Sequence, residues 1–409
     1  MDIGQMLNQL FMNSGFAHIY WQQMVMLLIS FVLMYLGIVK KFEPLLVVPI
    51  SFGMMLTNLP ATGIMYDAVS SARYQLEMAY LSGNQGAINE ALHRLANTTF
   101  RDSGLLYNFY SLLQAVILPP LIFLGVGAMT DFGPLLARPS GMLMGGAAQI
   151  GIFFAFIAAV ATGMFSPLEA SSIAIIGGAD GPTAIFLTMR LAPHLLGAVA
   201  VSAYTYMALI PVIQPPIMNL LTTDKERKVK MSQARKVSKA EKIMFPIAVT
   251  IVVVFLLPTT APLVGMLMLG NLFKECGVVE RLSKTAENDL INIVTIILAL
   301  AVGGTTEGTY FLRPETLAVV VLGLVAFIIA TFFGMIMGKI MYVLSGGKIN
   351  PLIGSAGVSA VPIAARMSQV LGQKYDKSNH LLMHAMAPNV AGVVGSAIAA
   401  GFLLAVFGG

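Results

Sequence analysis

Apolar residues run along this chain in long, nearly unbroken stretches, not in the alternating or amphipathic patterns of half-buried elements. Stretches of bilayer-crossing character occupy about 19–39, 43–59, 107–129, 140–164 and 194–221. A second group occupies about 243–258, 261–275, 289–304, 316–338 and 380–407. Two more, 166–190 and 350–366, are apolar but interrupted by glycine, proline and serine. A lipid-exposed backbone must satisfy its own hydrogen bonds, which favours helices, with broken segments tolerated only where protein or a cavity covers them. The pattern therefore predicts an all-α polytopic membrane protein with about ten spans and two re-entrant broken hairpins. Between 62 and 102 the chain turns polar, with Asp67, Arg73, Glu77, Glu90, Arg94 and Arg101, which predicts one or two external helices.

Composition supports this class. Of 409 residues only 11% are charged, against about 25% in soluble domains, so a cytosolic enzyme, a coiled coil and a disordered chain are excluded. The net charge of +5 comes from 24 basic and 19 acidic side chains. The segment 223–242 alone carries eight basic and three acidic residues, so removing it leaves sixteen of each. Short loops rich in Lys and Arg face the cytoplasm. That rule puts Lys40, Lys41, Arg138, the 223–242 linker, Arg281, Lys284, Lys339 and Lys348 inside. A full crossing at 166–190 would move the linker to the wrong face, whereas a re-entrant hairpin keeps it inside and both termini outside. The basic linker is read as a topological hinge, and no nucleic-acid partner is expected. Cys276 is the only cysteine, which excludes a disulfide framework and a cysteine-based metal centre. The first apolar run has no basic segment before it and Lys40-Lys41 after it, as expected of an uncleaved span.

The two halves resemble each other. Gly127, Thr130 and Asp131 are matched by Gly303, Thr306 and Glu307, and Gly178, Gly181, Thr183 and Arg190 by Gly354, Gly357, Ser359 and Arg366, each 176 positions on. With the charge-derived topology, these are inverted repeats over 1–222 (with the insertion at about 62–102) and 243–409, joined by the 223–242 linker. Inverted repeats with broken helices near the bilayer midplane are a common architecture of ion-coupled transporters.

The chemistry concentrates in the broken segments. Asp180 lies in Ile-Gly-Gly-Ala-Asp-Gly-Pro-Thr-Ala-Ile-Phe, a carboxylate inside an apolar run, where an ionisable group is costly unless paired or functional. Flanking glycines and Pro182 free backbone carbonyls, and a carboxylate with carbonyls and hydroxyls is the oxygen-rich set that a hard cation such as Na⁺ takes. The matching segment supplies Asn350, Gly354, Ser355, Gly357 and Ser359 and ends at Arg366. Tyr206, in Ala-Tyr-Thr-Tyr-Met, and Asn389, beside Pro388, are further intramembrane polar groups. Arg366 closes its hairpin on the cytoplasmic side, where a guanidinium suits a carboxylate or carbamate substrate. His380 and His384 lie one helical turn apart, but two histidines without a third ligand do not make a zinc site. Gly141/Gly145 and Gly334/Gly338 are compatible with close helix contacts.

Taken together, KKFEPLLVVPISFG, GVGAMTDFGPLLA, IIGGADGPTAIF, QPPIMNLLTTDKERK, NPLIGSAGVSAVPIAAR and MHAMAPNVAGVVGSAIAAG resemble the β subunits of the biotin-dependent, sodium-pumping decarboxylases along nearly the whole chain. The resemblance implies decarboxylation of carboxybiotin carried by a partner subunit, coupled to Na⁺ export and to consumption of an external proton. It implies catalytic roles for Asp180, Tyr206 and Arg366, with Arg366 holding carboxybiotin. Na⁺ is expected at Asp180, Asn350, Gly354, Ser359 and Asn389. It further implies a carboxyltransferase/biotin-carrier α subunit, a small γ membrane subunit, a β homotrimer and a bacterial inner-membrane location. Two rival readings follow from the residues: a secondary Na⁺-coupled transporter without decarboxylase chemistry, and a passive anchor. The second does not account for an intramembrane carboxylate.

Overall fold

The computed structural model describes residue 9, residues 11–12 and residues 14–408, and among them every regular element is helical. Five helices are long and apolar enough to cross a membrane: Trp21–Ile38, Gly141–Ala161, Glu280–Gly304, Pro314–Leu344 and Leu382–Phe407. Two further pairs, Leu105–Gln114 with Leu118–Met129 and Pro193–Ala208 with Ile210–Leu221, pass the same test as bent pairs, giving up to seven. Pro211 enters just after the second bend and contributes to its 64° change of direction. The expected spans at 43–59, 243–258 and 261–275 are the helices Pro44–Asn58, Lys239–Leu256 and Ala261–Cys276, of 15, 18 and 16 residues. Each is shorter than the about 20 residues of a simple crossing, so the count of ten rests on short helices.

The chain divides into two compact units. The first comprises residues up to Ala115 with Ile296–Leu312. Its polar stretch forms two helices, Ala68–Ser82 and Gln85–Asn97, split by Gly83 in the left-handed conformation and started by Asp67 and Asn84, whose side chains accept from the first-turn amides. The same unit buries Asn58, whose Nδ2 donates to Thr306 O at 2.9 Å while its Oδ1 accepts from Gly308 N at 2.8 Å. Met24, Leu28, Phe31, Val32 and Tyr35 of Trp21–Ile38 are exposed. An apolar exterior this extensive is the mark of a surface covered by lipid or protein.

The second unit comprises Val116–Thr295 and Arg313–Gly409 and holds the large core. Its helices approach closely through small residues. Leu118–Met129 crosses Ala261–Cys276 where Gly127 meets the Leu267 carbonyl and Gly270 meets that of Leu124, with no room for a Cβ on either. Gly141 and Gly145 pack on Ala387 and Ala391, and Gly334 and Gly338 pack on Gly354 and Pro351. The glycine pairs therefore build contacts within this unit. The 31-residue helix Pro314–Leu344 is about 46 Å long and backs both broken segments.

The basic linker is strapped to the same unit. It is irregular apart from the single turn Asp224–Arg227 and ends where Ser238 caps Lys239–Leu256. Arg227 is buried, stacks 4.7 Å over the Tyr375 ring and donates to Tyr375 Oη at 2.8 Å. Lys230 pairs with Asp376 at 3.2 Å. The Ser378 hydroxyl and amide, with Lys230, hold the Asp376 carboxyl down to about 2.

Candidate functional site

Each broken segment is a helix that stops inside the core. The first runs from Pro167–Ala174 through a tight turn over Ile175–Gly178 to Ala179, whose φ of 54° ends the helical path. Asp180 then caps the new helix Gly181–Leu191, its Oδ1 accepting from Thr183 N at 3.2 Å. Pro182 sits in the first turn, where its missing amide proton costs no hydrogen bond. Only 6% exposed, Asp180 has its carboxylate at the positive end of that helix. The second segment is the short helix Pro351–Gly357, then extended residues to Ala360, then the helix Ile363–Tyr375.

The breaks meet. Ser359 N donates to Gly178 O at 3.0 Å, joining backbone of the first segment to backbone of the second. The C-terminal helix Leu382–Phe407 locks the junction from one side. Asn389 Nδ2 lies 3.1, 2.7 and 3.4 Å from the carbonyls of Ala356, Val358 and Ala360, and its two protons serve these exposed carbonyls. Gly392 O accepts from Ser359 Oγ at 3.0 Å. Ser396 Oγ lies 2.7 Å from Asp180 Oδ2 and 2.9 Å from its own turn's Val393 O, and its single proton is shared between them. Asn389, Gly392 and Ser396 recur at i, i+3 and i+7, so one helical stripe services both breaks.

Several oxygens at this junction lack a hydrogen-bond partner. Asn389 Oδ1, Gln149 Oε1 and Thr183 Oγ1 are buried and unbonded, although buried acceptors are ordinarily satisfied. Gln149 spends its amide on Gly145 O and Gly392 O, at 3.1 and 3.4 Å, which leaves its oxygen free. At the break itself lies a cavity of about 80 Å³ lined by Asp180, Gly181, Pro182, Ser359 and Met207, among others. A water needs about 10–15 Å³, and organic ligand sites run from about 300 Å³. The space therefore suits an ion or a water and excludes a ring-sized substrate. A buried carboxylate and neutral side-chain oxygens are the donor types that a hard cation takes.

The structure thus brings together Asp180, Ser359 and Asn389 of the expected cation ligands. Asn350 and Gly354 are not at this junction. Both Asn350 amide protons go to linker carbonyls, Arg227 O at 3.0 Å and Val229 O at 2.8 Å, and its Oδ1 accepts from Leu352 N at 2.9 Å. Gly354 is pressed on Gly334 of the long helix. In this conformation Asn350 caps a helix and straps the linker, while Gly354 allows a close crossing. Ser355 bonds to Leu352 O and Ser368 in a separate buried cluster. Tyr206 donates to Val320 O on the long helix. The tyrosine packed on the break is Tyr204, 2% exposed, with its ring against Gly181 and its hydroxyl unpartnered. Arg366 is exposed on Ile363–Tyr375 and forms no ion pair among the described residues. Ser396 and Gln149 were absent from the sequence reading, and Thr183 entered it only as the repeat counterpart of Ser359. The i, i+3, i+7 spacing of Asn389, Gly392 and Ser396 was the available signal for the first.

Fold and site define an all-helical, multi-pass membrane protein with a buried carboxylate at the junction of two broken segments. The family model for the Na⁺-transporting oxaloacetate decarboxylase beta subunit matches residues 22–407, and the chain belongs to that family. The methylmalonyl-CoA decarboxylase subunit beta of Propionigenium modestum is 57% identical over 97% of this chain and 98% of its own. The glutaconyl-CoA decarboxylase subunit beta of Acidaminococcus fermentans is 51% identical over 98% of each chain. The oxaloacetate decarboxylase beta chain of Klebsiella pneumoniae is also 51% identical, over 97% and 98%. A β subunit works in a complex with other subunits, and the family's activity is decarboxylation coupled to Na⁺ transport.

Proposed function

We propose that this chain decarboxylates carboxybiotin presented by a partner subunit and uses that reaction to export Na⁺. The observation that carries this reading is the buried Asp180 carboxylate, set where the two broken segments join, with unbonded side-chain oxygens on the elements that meet there. Na⁺ as cargo is assigned to Asp180, Ser359 and the Asn389 and Gln149 side-chain oxygens. Thr183 Oγ1, on the first turn of the helix that Asp180 caps, is a neutral supplement. In the reaction the N–CO₂⁻ bond breaks, CO₂ leaves, and the electron pair stays on the ureido nitrogen, which takes a proton. Arg366, exposed and without an acidic partner among the described residues, is assigned to the carboxylate of the incoming group. Tyr206 retains the proton-transfer role that the resemblance implies; in this conformation its hydroxyl is engaged with Val320 O, so a relay requires that bond to open.

The repeat reading belongs to the same proposal. The segments 166–190 and 350–366, equivalent in the two halves 1–222 and 243–409, are the ones whose backbones join at Gly178 and Ser359. Inverted halves with the 223–242 linker between them, in a homotrimer with a carboxyltransferase/biotin-carrier α subunit and a γ subunit in the inner membrane, complete the picture. The acid first decarboxylated is chosen outside this chain, since its relatives carry three different substrate names.

The deciding experiment is Asp180→Asn in the reconstituted complex. Loss of both Na⁺-dependent CO₂ release and ²²Na⁺ uptake is expected. Full activity at ordinary Na⁺ refutes the assignment. Na⁺ movement by the unaltered complex without CO₂ release from free carboxybiotin indicates a transporter without this chemistry.

A further inference from the structure

The Asp180 cavity is too small for a biotin-sized ring, yet the second unit holds a cavity of about 540 Å³ on another face. That volume lies within the about 300–1,000 Å³ of small-molecule sites. The linker forms one wall, with Met231, Arg235, Lys236 and Val237. Pro134, Arg138 and Lys242 also line it, with His380 just before the C-terminal helix and Met383, His384 and Ala387 on its first turns. Four permanent cations and two imidazoles thus face a single carboxylate, Asp131.

The charges are not all spent. Lys242 pairs with Asp131 at 3.1 Å and Glu275 at 3.6 Å, and Arg235 with Glu241 at 2.9 Å. Arg138 donates to Ser232 O at 3.2 Å and reaches Met231 Sδ at 3.9 Å, and has no acidic partner among the described residues. Lys236, His380 and His384 likewise form no ion pair among them. Arg138 is half-buried and Lys236 exposed; cations without counter-charges attract an anion, and Arg138 offers the forked geometry that a carboxylate matches. Met231, Val237, Met383 and Pro134 give the same cavity apolar walls, which suit an uncharged body behind the anionic head.

We infer that this linker-walled cavity is a binding subsite for a carboxylate borne on a largely apolar body, anchored by Arg138 and Lys236. The inference rests on the proposed function for its meaning, because the carboxylated group on a partner's arm has that chemistry and would meet this subsite before it reaches Arg366. A free organic acid has it too. Filling the cavity bears on the cation site through one helix. Met383, His384 and Ala387 line it, and Pro388 follows directly, leaving the His384 carbonyl without its normal helical donor. That loosened turn sits directly before Asn389, which holds the second break.

The test uses the purified complex with Arg138→Gln and Lys236→Gln. Equilibrium dialysis with labelled valerate reads the subsite without turnover, with inorganic phosphate as the comparison anion. The KM for free carboxybiotin at saturating Na⁺ reads it in the reaction. Loss of one charge-assisted hydrogen bond predicts a roughly tenfold weakening for Arg138→Gln. A smaller weakening is expected for Lys236→Gln, which breaks no internal bond and so controls for linker disruption, and partial recovery for Arg138→Lys. Valerate binding lost in the variants with an unchanged KM identifies a free-acid subsite. A raised KM identifies the tethered carboxylate. Either supports the inference, and unchanged values in both assays overturn it. Phosphate binding that the variants lose, with no valerate binding in the parent complex, overturns the carboxylate assignment. A parent complex that releases no CO₂ refutes the proposed function, while the dialysis still decides the subsite.

Discussion

Asn389→Ala isolates the energetics of the junction. The amide has two protons for three carbonyls at 3.1, 2.7 and 3.4 Å, so two hydrogen bonds are lost. Each is worth about 0.5–1.5 kcal/mol net, and a carbonyl left buried and unbonded costs about 1–3 kcal/mol. The neighbouring cavity of about 80 Å³ admits water and relieves part of that cost. The balance is about 2–4 kcal/mol, concentrated on Ala356–Ala360, and the substitution also removes the unbonded Oδ1 assigned to Na⁺. If the ordered break is a condition of cation binding, half-saturation for Na⁺ rises by at least about 30-fold, the equivalent of 2 kcal/mol. The assay is Na⁺-dependent CO₂ release by the detergent-purified complex, beside a melting curve on the same sample. A half-saturation constant within twofold of the parent, with or without a lowered melting temperature, refutes the reasoning and leaves Asn389 a purely structural strap.

Other substitutions probe the neighbouring contacts. Gly181→Ala places a methyl group in the Tyr204 ring, so it should cost about 1–3 kcal/mol in melting experiments and abolish Na⁺-dependent turnover. Tyr204→Phe removes a buried hydroxyl that has no partner, so the melting temperature should hold or rise; a fall would reveal a hydrogen bond made in another conformation. Asn350→Ala removes one of the two amides, its own and that of Asn379, that donate to the Arg227 and Val229 carbonyls, and should speed trypsin cleavage within 223–242 about tenfold, from roughly 1–2 kcal/mol of lost tethering. Cleavage at the parent rate would show that Arg227 and Asn379 hold the linker without it.

Much of the architecture is legible from local pattern. The long apolar stretches become helices, and the polar stretch becomes Ala68–Ser82 and Gln85–Asn97. The glycine-rich segments break where expected, around Ala179 and after Gly357. Asp180 stands out as a lone carboxylate in an apolar run, and Ser359 and Asn389 were legible as hydroxyl and amide beside helix breakers. Tyr204 and Tyr206 could not be separated in this way. They lie two positions apart, about 200° around a helix, and nothing in Ala-Tyr-Thr-Tyr-Met says which face meets Gly181. Asn350 shows a related ambiguity: an amide in a glycine-rich break looks alike whether it binds a cation or a linker carbonyl.

By itself the sequence determined the membrane class, the helix breaks, the intramembrane carboxylate and the charge excess of one linker. Hydropathy, helix breaking and charge are properties of a residue and its near neighbours. Only the tertiary structure decided which groups surround Asp180, because its Ser396 partner is 216 positions away. The same holds for the walls of the linker cavity, drawn from segments around 134, 235 and 384. Such partners are chosen by how helices cross, and crossing geometry depends on the shapes of all the side chains between them.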